Sequence, residues 1–569
     1  MESNLGALWL DAISSSWWIA MAGGLLFAAL QISRRRISLE ATWLAWLAAV
    51  SIGAVLAVSQ ANLVDEAFAQ LEVARNTASG LGPVFHDGPP TEAIRATGWS
   101  VLLGIFSFTG LPLPYLGLSM TLLAWLACAA LMLWVGQELW EVERHRTYLP
   151  FAAIAFALQS AITPFVLSSL EVLPLAACTL GGLAAILAGR SATAGLLLAA
   201  SAILRPDHLV FWLAGLLATR SSDRARFALT IGPMALWTLG RWMFFGSLLP
   251  QATIASGATS MPMGLGLSRV AAVAAGEHLW VLALLGLISA LQPAEERERT
   301  LRRFALVGAG MHVLLVMIGG GSEHYAKPLI TDMALLLLLA EAALHRGGRW
   351  MQLGAAGAMG ATLVGLPLLA PRTHALDMTS MHSFYPIKRW APLEVEHHSQ
   401  KLGTQLAALS TPEHPLRLAT CCSWGAIAWF SHAEVLPTDG SADASLVGAD
   451  PNAASTVDLL RASGVHMFCR PWSPKEHHRL TAVTFTNIEG LDGRWHLLRW
   501  DALVAERAGS ETRFIRLTPA VPYLEEWSES IDRRQPREVQ QALAFFDAYY
   551  FEGNPDPARR ALFTDRLNR

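Results

Sequence analysis

The chain has 569 residues, of which 53% are hydrophobic and only 15% charged, with a formal net charge of −3, and its mean hydropathy is +0.37. Soluble domains carry about a quarter charged residues, so this composition excludes an ordinary soluble protein. No basic tract suggests a nucleic-acid partner, and none is expected. Apolar runs of spanning length recur from Ile13 to Ala370, which makes the chain a polytopic α-helical membrane protein.

Ile13–Leu30 follows an acidic start (Glu2, Asp11) and precedes Arg34, Arg35 and Arg36. That pattern is not a cleavable signal peptide, and it puts the C-terminal end of the run in the cytoplasm. The spans expected in chain order are Ile13–Leu30, Ala41–Ser59, Pro114–Val135, Tyr148–Leu167, Val172–Ala188, Ala192–Leu204, His208–Thr219, Phe227–Phe244, Glu277–Leu291, Phe304–Ile318, Pro328–Leu344 and Trp350–Ala370. That is about twelve by length and apolarity, with the short pair Ala192–Leu204 and His208–Thr219 open to a re-entrant reading. Every second connection is basic (Arg144 to Arg146, Arg190, Arg220 to Arg226, Arg297 to Arg303, His345 to Arg349), as the positive-inside rule requires of the cytoplasmic side.

Residues 1–370 therefore read as a membrane domain, with residues 60–98 its first outer loop with interfacial helices and Trp99–Phe108 an amphipathic or interfacial helix. Residues 371–569 read as an extracytoplasmic domain with a charged tail. There Arg417–Phe430 predicts a buried strand, a glycine turn and a helix start. Ser455–Ala462 predicts a helix, Val465–Cys469 the next strand and Arg534–Tyr550 another helix. Strand, helix, strand implies a small α/β domain. An oxidising compartment permits a bridge from Cys469 to Cys421 or Cys422, buried thiols being the alternative. Trp424, Trp429, Trp472, Trp495 and Trp500 suit core packing better than sugar stacking. No CxxC or HExxH spacing is present.

Chemistry is expected at the outer ends of the spans, where ionisable residues collect: Asp65, Glu66, Glu171, Arg205, Asp207, Arg241, Glu323, His324 and Lys327. Carboxylates at membrane depth are costly and default to function. Arg205, Arg241 and Lys327 break the positive-inside rule. They either meet headgroups or line a cavity for a phosphate-bearing lipid, which a guanidinium grips bidentately. Glycosyl transfer from a polyprenyl phosphate needs a base for the acceptor hydroxyl and positive charge for the departing phosphate, and this inventory supplies both. Glu171 and Asp207 also sit where an acid in a helix first turn is favoured. Nothing of the Walker A type suggests ATP-driven transport.

Asp65, Ala67, Phe68, Ala74, Arg75, Asn76, Gly80, Gly82, Val84, Phe85, Gly88, Glu92, Thr97 and Trp99 lie in order along the first outer loop. Ser169-Leu170-Glu171, Leu204-Arg205-Pro206-Asp207, Arg241 to Gly246 with Leu249-Pro250 and Thr253, His324 to Pro328, and Gly425-Ala426-Ile427 with Trp429 to Ser431 follow. This ordered set resembles the prokaryotic GT-C glycosyltransferases of the mycobacterial terminal arabinofuranosyltransferase type. Departures are Glu66 for a second aspartate, Glu72-Val73 for an Arg-Tyr pair, Ala93 to Arg95 for Gly-Tyr-Thr, and Gln251-Ala252 within a Pro-Asn-Thr motif.

The resemblance implies an inverting transferase of the cytoplasmic membrane, active on its periplasmic face. Its donor would be a polyprenyl-phosphate sugar, a pentose such as arabinofuranose being one candidate. Its acceptor would be a cell-envelope glycan, glycolipid or protein. Asp65 would be the catalytic base with Glu66 beside it, Arg205, Arg241 and Lys327 would bind phosphate, and Glu92, Glu171, Asp207 and His324 would line the substrate pocket. A divalent metal near Asp65 and Glu66 stays open. The alternatives from other classes are a transporter or flippase of lipid-linked sugars, which inverted repeats would favour and for which none is evident, and an inactive envelope-assembly subunit.

Overall fold

The computed structural model describes residues 39–86, 88–139, 150–159, 161–258, 263–277, 279–319, 326–346, 384–389 and 394–395, then parts of 400–569. Those parts are chiefly 417–420, 424–447, the strands between 467 and 516, 531–533 and 557–569. Two compact units emerge: Met1–Val84 with Ile94–Val395, and Phe85–Ala93 with Glu396–Arg569.

The first unit begins with helix α1 (Leu39–Ser59) and the short strand β1 (Asn62–Val64), which leads directly into α2 (Asp65–Ala78). Next come α3 (Thr97–Phe106), α4 (Leu113–Leu139), α5 (Phe151–Leu158), α6 (Thr163–Val166), α7 (Val172–Leu187), α8 (Ser191–Leu204) and α9 (Leu209–Ala218). They are followed by α10 (Arg224–Ala228), α11 (Ile231–Phe245), α12 (Gln251–Ala258), α13 (Met263–Gly276), α14 (Leu279–Ala290), α15 (Glu296–Ile318) and α16 (Ile330–Arg346). Strands β2 (Phe384–Arg389) and β3 (Glu394–Val395) complete it.

Among the described residues three helices are long and apolar enough to cross a membrane, at Thr42–Ser59, Leu113–Leu139 and Glu296–Ile318, and the bent pair Gly266–Ala275 with Leu279–Ala290 adds a fourth if counted as one span. A single helix needs roughly 20 residues to cross the hydrocarbon core. Among the described residues, most of the expected spans are shorter than that. Tyr148–Leu167 is broken between Leu158 and Thr163, where Pro164 opens a new helix. Ala192–Leu204 and His208–Thr219 become α8 and α9, of 14 and 10 residues, separated by a turn at Pro206–His208. The runs Ile13–Leu30 and Trp350–Ala370 lie outside the described residues. The basic stretch expected as the loop Arg297–Arg303 is instead the start of α15, where Arg302 is buried on Glu298 one turn earlier.

The region expected after α1 as an outer loop with interfacial helices contains a helix whose residues are mostly buried. Asp65 opens α2, and Ala67, Phe68, Ala69, Leu71, Val73 and Ala74 are inaccessible to solvent. β1 is held by β2 in antiparallel register, Asn62 to Pro386, Leu63 to Tyr385 and Val64 to Phe384. Gly80 and Gly82 have φ of 88° and 92°, a conformation that glycine adopts without the Cβ penalty. Asn76 Nδ2 donates to the Val84 carbonyl at 3.0 Å and closes that turn.

Helix α3 packs on α2 and touches α8. Gly104 and Gly98 allow this. A Cβ at Gly104 would come within 2.8 Å of the Ala74 carbonyl oxygen, and one at Gly98 would overlap the Ile203 carbonyl.

In the second unit β4 (Arg417–Thr420), helix α17 (Trp424–Ser431), β5 (Glu434–Pro437), β6 (Met467–Pro471), β7 (Val483–Asn487), β8 (Gly493–Leu498), β9 (Ala502–Arg507), β10 (Thr512–Arg516) and helix α18 (Pro557–Asn568) follow in order. The sheet order is β5-β4-β6-β10-β9-β8-β7. β4 runs parallel to both β5 and β6, and the remaining pairings are antiparallel. The strand expected at Val465–Cys469 lies at Met467–Pro471. Trp424 packs edge-on against Phe85, ring centroids 4.8 Å apart. Most of the helices expected at Ser455–Ala462 and at Arg534–Tyr550, and the bridge involving Cys421 and Cys422, fall outside the described residues.

Candidate active site

Glu171 is the centre of the site. It precedes α7, is fully buried, and is reached from three other parts of the chain. Gln70 Nε2, from α2, donates to Glu171 Oε2 at 2.8 Å. Arg205 Nη1, at the end of α8, lies 3.1 Å from Glu171 Oε1, and Lys327 Nζ, just before α16, lies 3.3 Å from the same oxygen. Charge-assisted contacts of this kind are roughly twice as strong as neutral ones. A buried carboxylate without them would be several kcal/mol unfavourable.

The backbone that presents Glu171 is strained and braced. Ser169 has φ of 61°, uncommon for a residue with a Cβ. Its carbonyl accepts from Trp99 Nε1 at 3.0 Å, and Gly117 on α4 leaves the room its side chain needs, since a Cβ there would overlap Ser169 Oγ. Trp99 is fully buried. Thus α3 braces α2, the turn before Glu171 and the end of α8 together.

Two further carboxylates extend the network. Glu66 Oε2 is 2.5 Å from Lys327 Nζ, and Gln70 Nε2 also lies 3.4 Å from Glu66 Oε1. Glu66 differs from Glu171 in being partly open to solvent, its side chain 27% exposed against 1%. On the other side Asp207 Oδ2 holds Arg205 Nη2 at 2.7 Å. Arg205 Nε is buried and has no partner among the described residues, so the guanidinium keeps a donor for something else.

Of the residues singled out from the sequence, Glu66, Glu171, Arg205, Asp207 and Lys327 belong to this connected network. Asp65 stands beside Glu66 at the head of α2 and is buried. Arg241 is the one buried residue of α11 among those described, a placement that suits a cation with an internal partner. Glu92 is buried within the second unit, in the segment Phe85–Ala93. His324 and Glu323 lie outside the described residues.

Four participants were not expected from the sequence. Gln70 carries no charge and gives no signal there. His208, His312 and Asp332 lie in or beside apolar runs, and the rule that ionisable groups in such runs are functional points to them. His312 Nδ1 is 2.8 Å from Asp332 Oδ2, and His312 Nε2 is 3.9 Å from Asp207 Oδ2. His208 Nδ1 shares a hydrogen bond with Ser201 Oγ at 2.8 Å.

Outside the apolar helices, Glu72 on α2 is a titratable group whose behaviour is strongly altered. Burial pushes its carboxyl up to about 7, against the opposing pull of Arg75, whose Nη2 lies 2.5 Å away.

No family model matches the chain, and no curated protein matches it. Among solved structures it is similar to the crystal structure of ArnT from Cupriavidus metallidurans in the apo state, with 12% identity and a TM-score of 0.45 over 84% of this chain and 98% of that one. It is similar also to ArnT from the same organism bound to undecaprenyl phosphate, with 12% identity and a TM-score of 0.46 over 82% of this chain and 97% of the other.

Proposed function

We propose that the protein is a membrane glycosyltransferase that moves a sugar from a polyprenyl-phosphate donor to a cell-envelope glycan, glycolipid or protein at the extracytoplasmic face. The observation that supports it most directly is the meeting of Arg205 and Lys327 on one oxygen of Glu171. Two buried cations at such close quarters repel, and a chain gains from holding them so when an anion is to be received there.

The two acidic partners of Lys327 have different parts in this reading. Glu171 is sealed and fixes both cations. Glu66 is partly solvent-exposed and exchangeable, so the donor phosphate takes its place on Lys327. The spare Nε of Arg205 then donates to a second phosphate oxygen, and Asp207 keeps the guanidinium turned for that contact. Arg241 adds a third positive charge.

Asp65, one residue before Glu66, serves as the base. The acceptor hydroxyl oxygen attacks the anomeric carbon as the carbon–oxygen bond to phosphate breaks. The proton passes to Asp65, and the electron pair leaves with the polyprenyl phosphate, whose charge the cations stabilise. A single displacement inverts the anomeric centre. The sequence resemblance favours a pentose such as arabinofuranose as the sugar.

The test is transfer by the purified protein in nanodiscs, from a synthetic polyprenyl-phosphate arabinose to an envelope glycan acceptor. Expected are transfer by the wild type and loss of donor binding in Arg205→Ala and Lys327→Ala. Donor binding unchanged in both variants, or movement of the donor across the bilayer without transfer, would overturn the proposal and favour a transporter.

A further inference from the structure

Beside the cation pair lies a cluster that the transfer reaction uses only through the hold of Asp207 on Arg205. Asp207, His208 and His312 each offer a ligand atom, and these three atoms lie within 4.8 Å of one another. Both histidines are buried, His208 3% and His312 1% exposed.

We propose that Asp207, His208 and His312 form a binding site for a divalent transition-metal ion of the zinc type. Three features of the surroundings carry this. Each imidazole has its Nδ1 occupied, His312 by the Asp332 carboxylate at 2.8 Å and His208 by Ser201 Oγ at 2.8 Å. With Nδ1–H donated to these acceptors, each ring presents Nε2 as a bare lone pair. This is how metal-ligating histidines are held by their outer partners. The two rings face each other edge-on, centroids 5.1 Å apart, and His312 Nε2 points toward Asp207, 3.9 Å from Oδ2. Finally, Asp207 is divided in its duties: Oδ2 holds Arg205, whereas Oδ1 is buried and has no partner among the described residues.

Two imidazole nitrogens and a carboxylate oxygen make a borderline donor set that suits zinc and its first-row neighbours, not calcium or magnesium. Tetrahedral ligands at ~2.1 Å from zinc stand roughly 3.4 Å apart, so the donors need only draw in slightly around the ion. The fourth position would be open. Glu66, by contrast, has its carboxylate engaged by Lys327.

The site does not depend on the proposed transfer, and the experiment is made without donor. The full-length protein, purified in detergent and stripped with chelator, is titrated with Zn2+ and separately with Co2+. Elemental analysis and the visible spectrum of the cobalt form are then recorded. Expected is one ion per chain, with two imidazoles in the X-ray absorption spectrum.

His312→Ala and His208→Gln should lose it. Asp332→Asn and Ser201→Ala, which remove only the outer partners, should weaken zinc binding about 10- to 100-fold. The outer-partner variants decide the matter if either histidine variant fails to elute as a monodisperse species. No stoichiometric zinc in the wild type, or wild-type affinity in the histidine variants or in both outer-partner variants, would overturn the proposal. The cluster would then be a histidinium held between Asp207 and Asp332.

Discussion

Gln70 Nε2 donates to Glu171 Oε2 at 2.8 Å across 101 residues of chain. Through this bond the helix that begins with Asp65 is fixed to the carboxylate on which both cations converge. The base and the phosphate site of the proposed reaction are therefore held at a set separation by an uncharged side chain.

Asp65→Asn keeps the shape of the side chain and removes its ability to take a proton. Turnover from a polyprenyl-phosphate sugar should fall about a hundred- to ten-thousand-fold, the usual effect of losing a general base. Donor affinity should be close to that of the wild type. Equal turnover in the two proteins would remove Asp65 from the mechanism.

Glu66 and Glu171 both contact Lys327, but their neutralisation should have opposite signatures. Glu171→Gln leaves Arg205 and Lys327 buried without their shared counter-charge, a change that costs about 3–5 kcal/mol when a buried pair is broken. It should lower the unfolding temperature in detergent markedly. Glu66→Gln removes a partly exposed partner, so stability should change by less than about 1 kcal/mol. Donor should bind more tightly because the carboxylate no longer competes with the phosphate for Lys327. Similar thermal shifts in the two variants would contradict this division.

Gly98→Ala tests the brace. A Cβ at this position overlaps the carbonyl of Ile203, two residues before Arg205. Overpacking against backbone costs about 1–3 kcal/mol, and a displacement of about 1 Å at a positioning residue can lower rate a hundred-fold. The variant should fold with reduced stability and bind donor poorly, as read by calorimetry and a donor titration.

Glu72 makes stability depend on pH. Its carboxyl titrates at about 7 in the folded protein, against 4.5 for a free glutamate side chain. Between these limits the folded state holds the proton that the unfolded state has released, so stability falls as pH rises through that window and levels off above it. The slope there is about 1.4 kcal/mol per pH unit. Glu72→Gln should abolish that slope and raise the unfolding temperature at alkaline pH more than at acid pH. Parallel pH profiles for variant and wild type would refute the assignment.

Much of the site was legible because charge is conspicuous against an apolar chain. Arg205 and Lys327 violate the charge rule for outer ends, and Glu171 and Asp207 stand in short polar breaks, so hydropathy alone singles them out. Gln70 was not legible, since its importance comes only from the turn of α2 that faces Glu171. His312 and Asp332 escaped because they lie inside apolar runs, whereas the charge rule picks out the ends of such runs.

The fold was harder to read. Hydropathy reports that a segment avoids water, but it does not report length after a proline or a polar turn has broken the helix, as at Pro164 and Pro206. In the second unit, β7 to β10 are short, and their pattern is not distinctive until they are paired.

The pairing of β1 with β2 sets the order in which this molecule can be completed. Asn62 to Val64, the three residues before Asp65, find their strand partner only at Phe384 to Pro386. During synthesis the amino-terminal helices leave the ribosome long before that partner exists. The proposed nucleophile-activating end is thus assembled late, by a contact of high sequence separation, the kind that slows folding. Chains released before residue 384 would carry every residue of the Glu66–Lys327–Glu171–Arg205 network and still lack the strand that pairs with the three residues before Asp65, so under the proposed reaction they should be inactive.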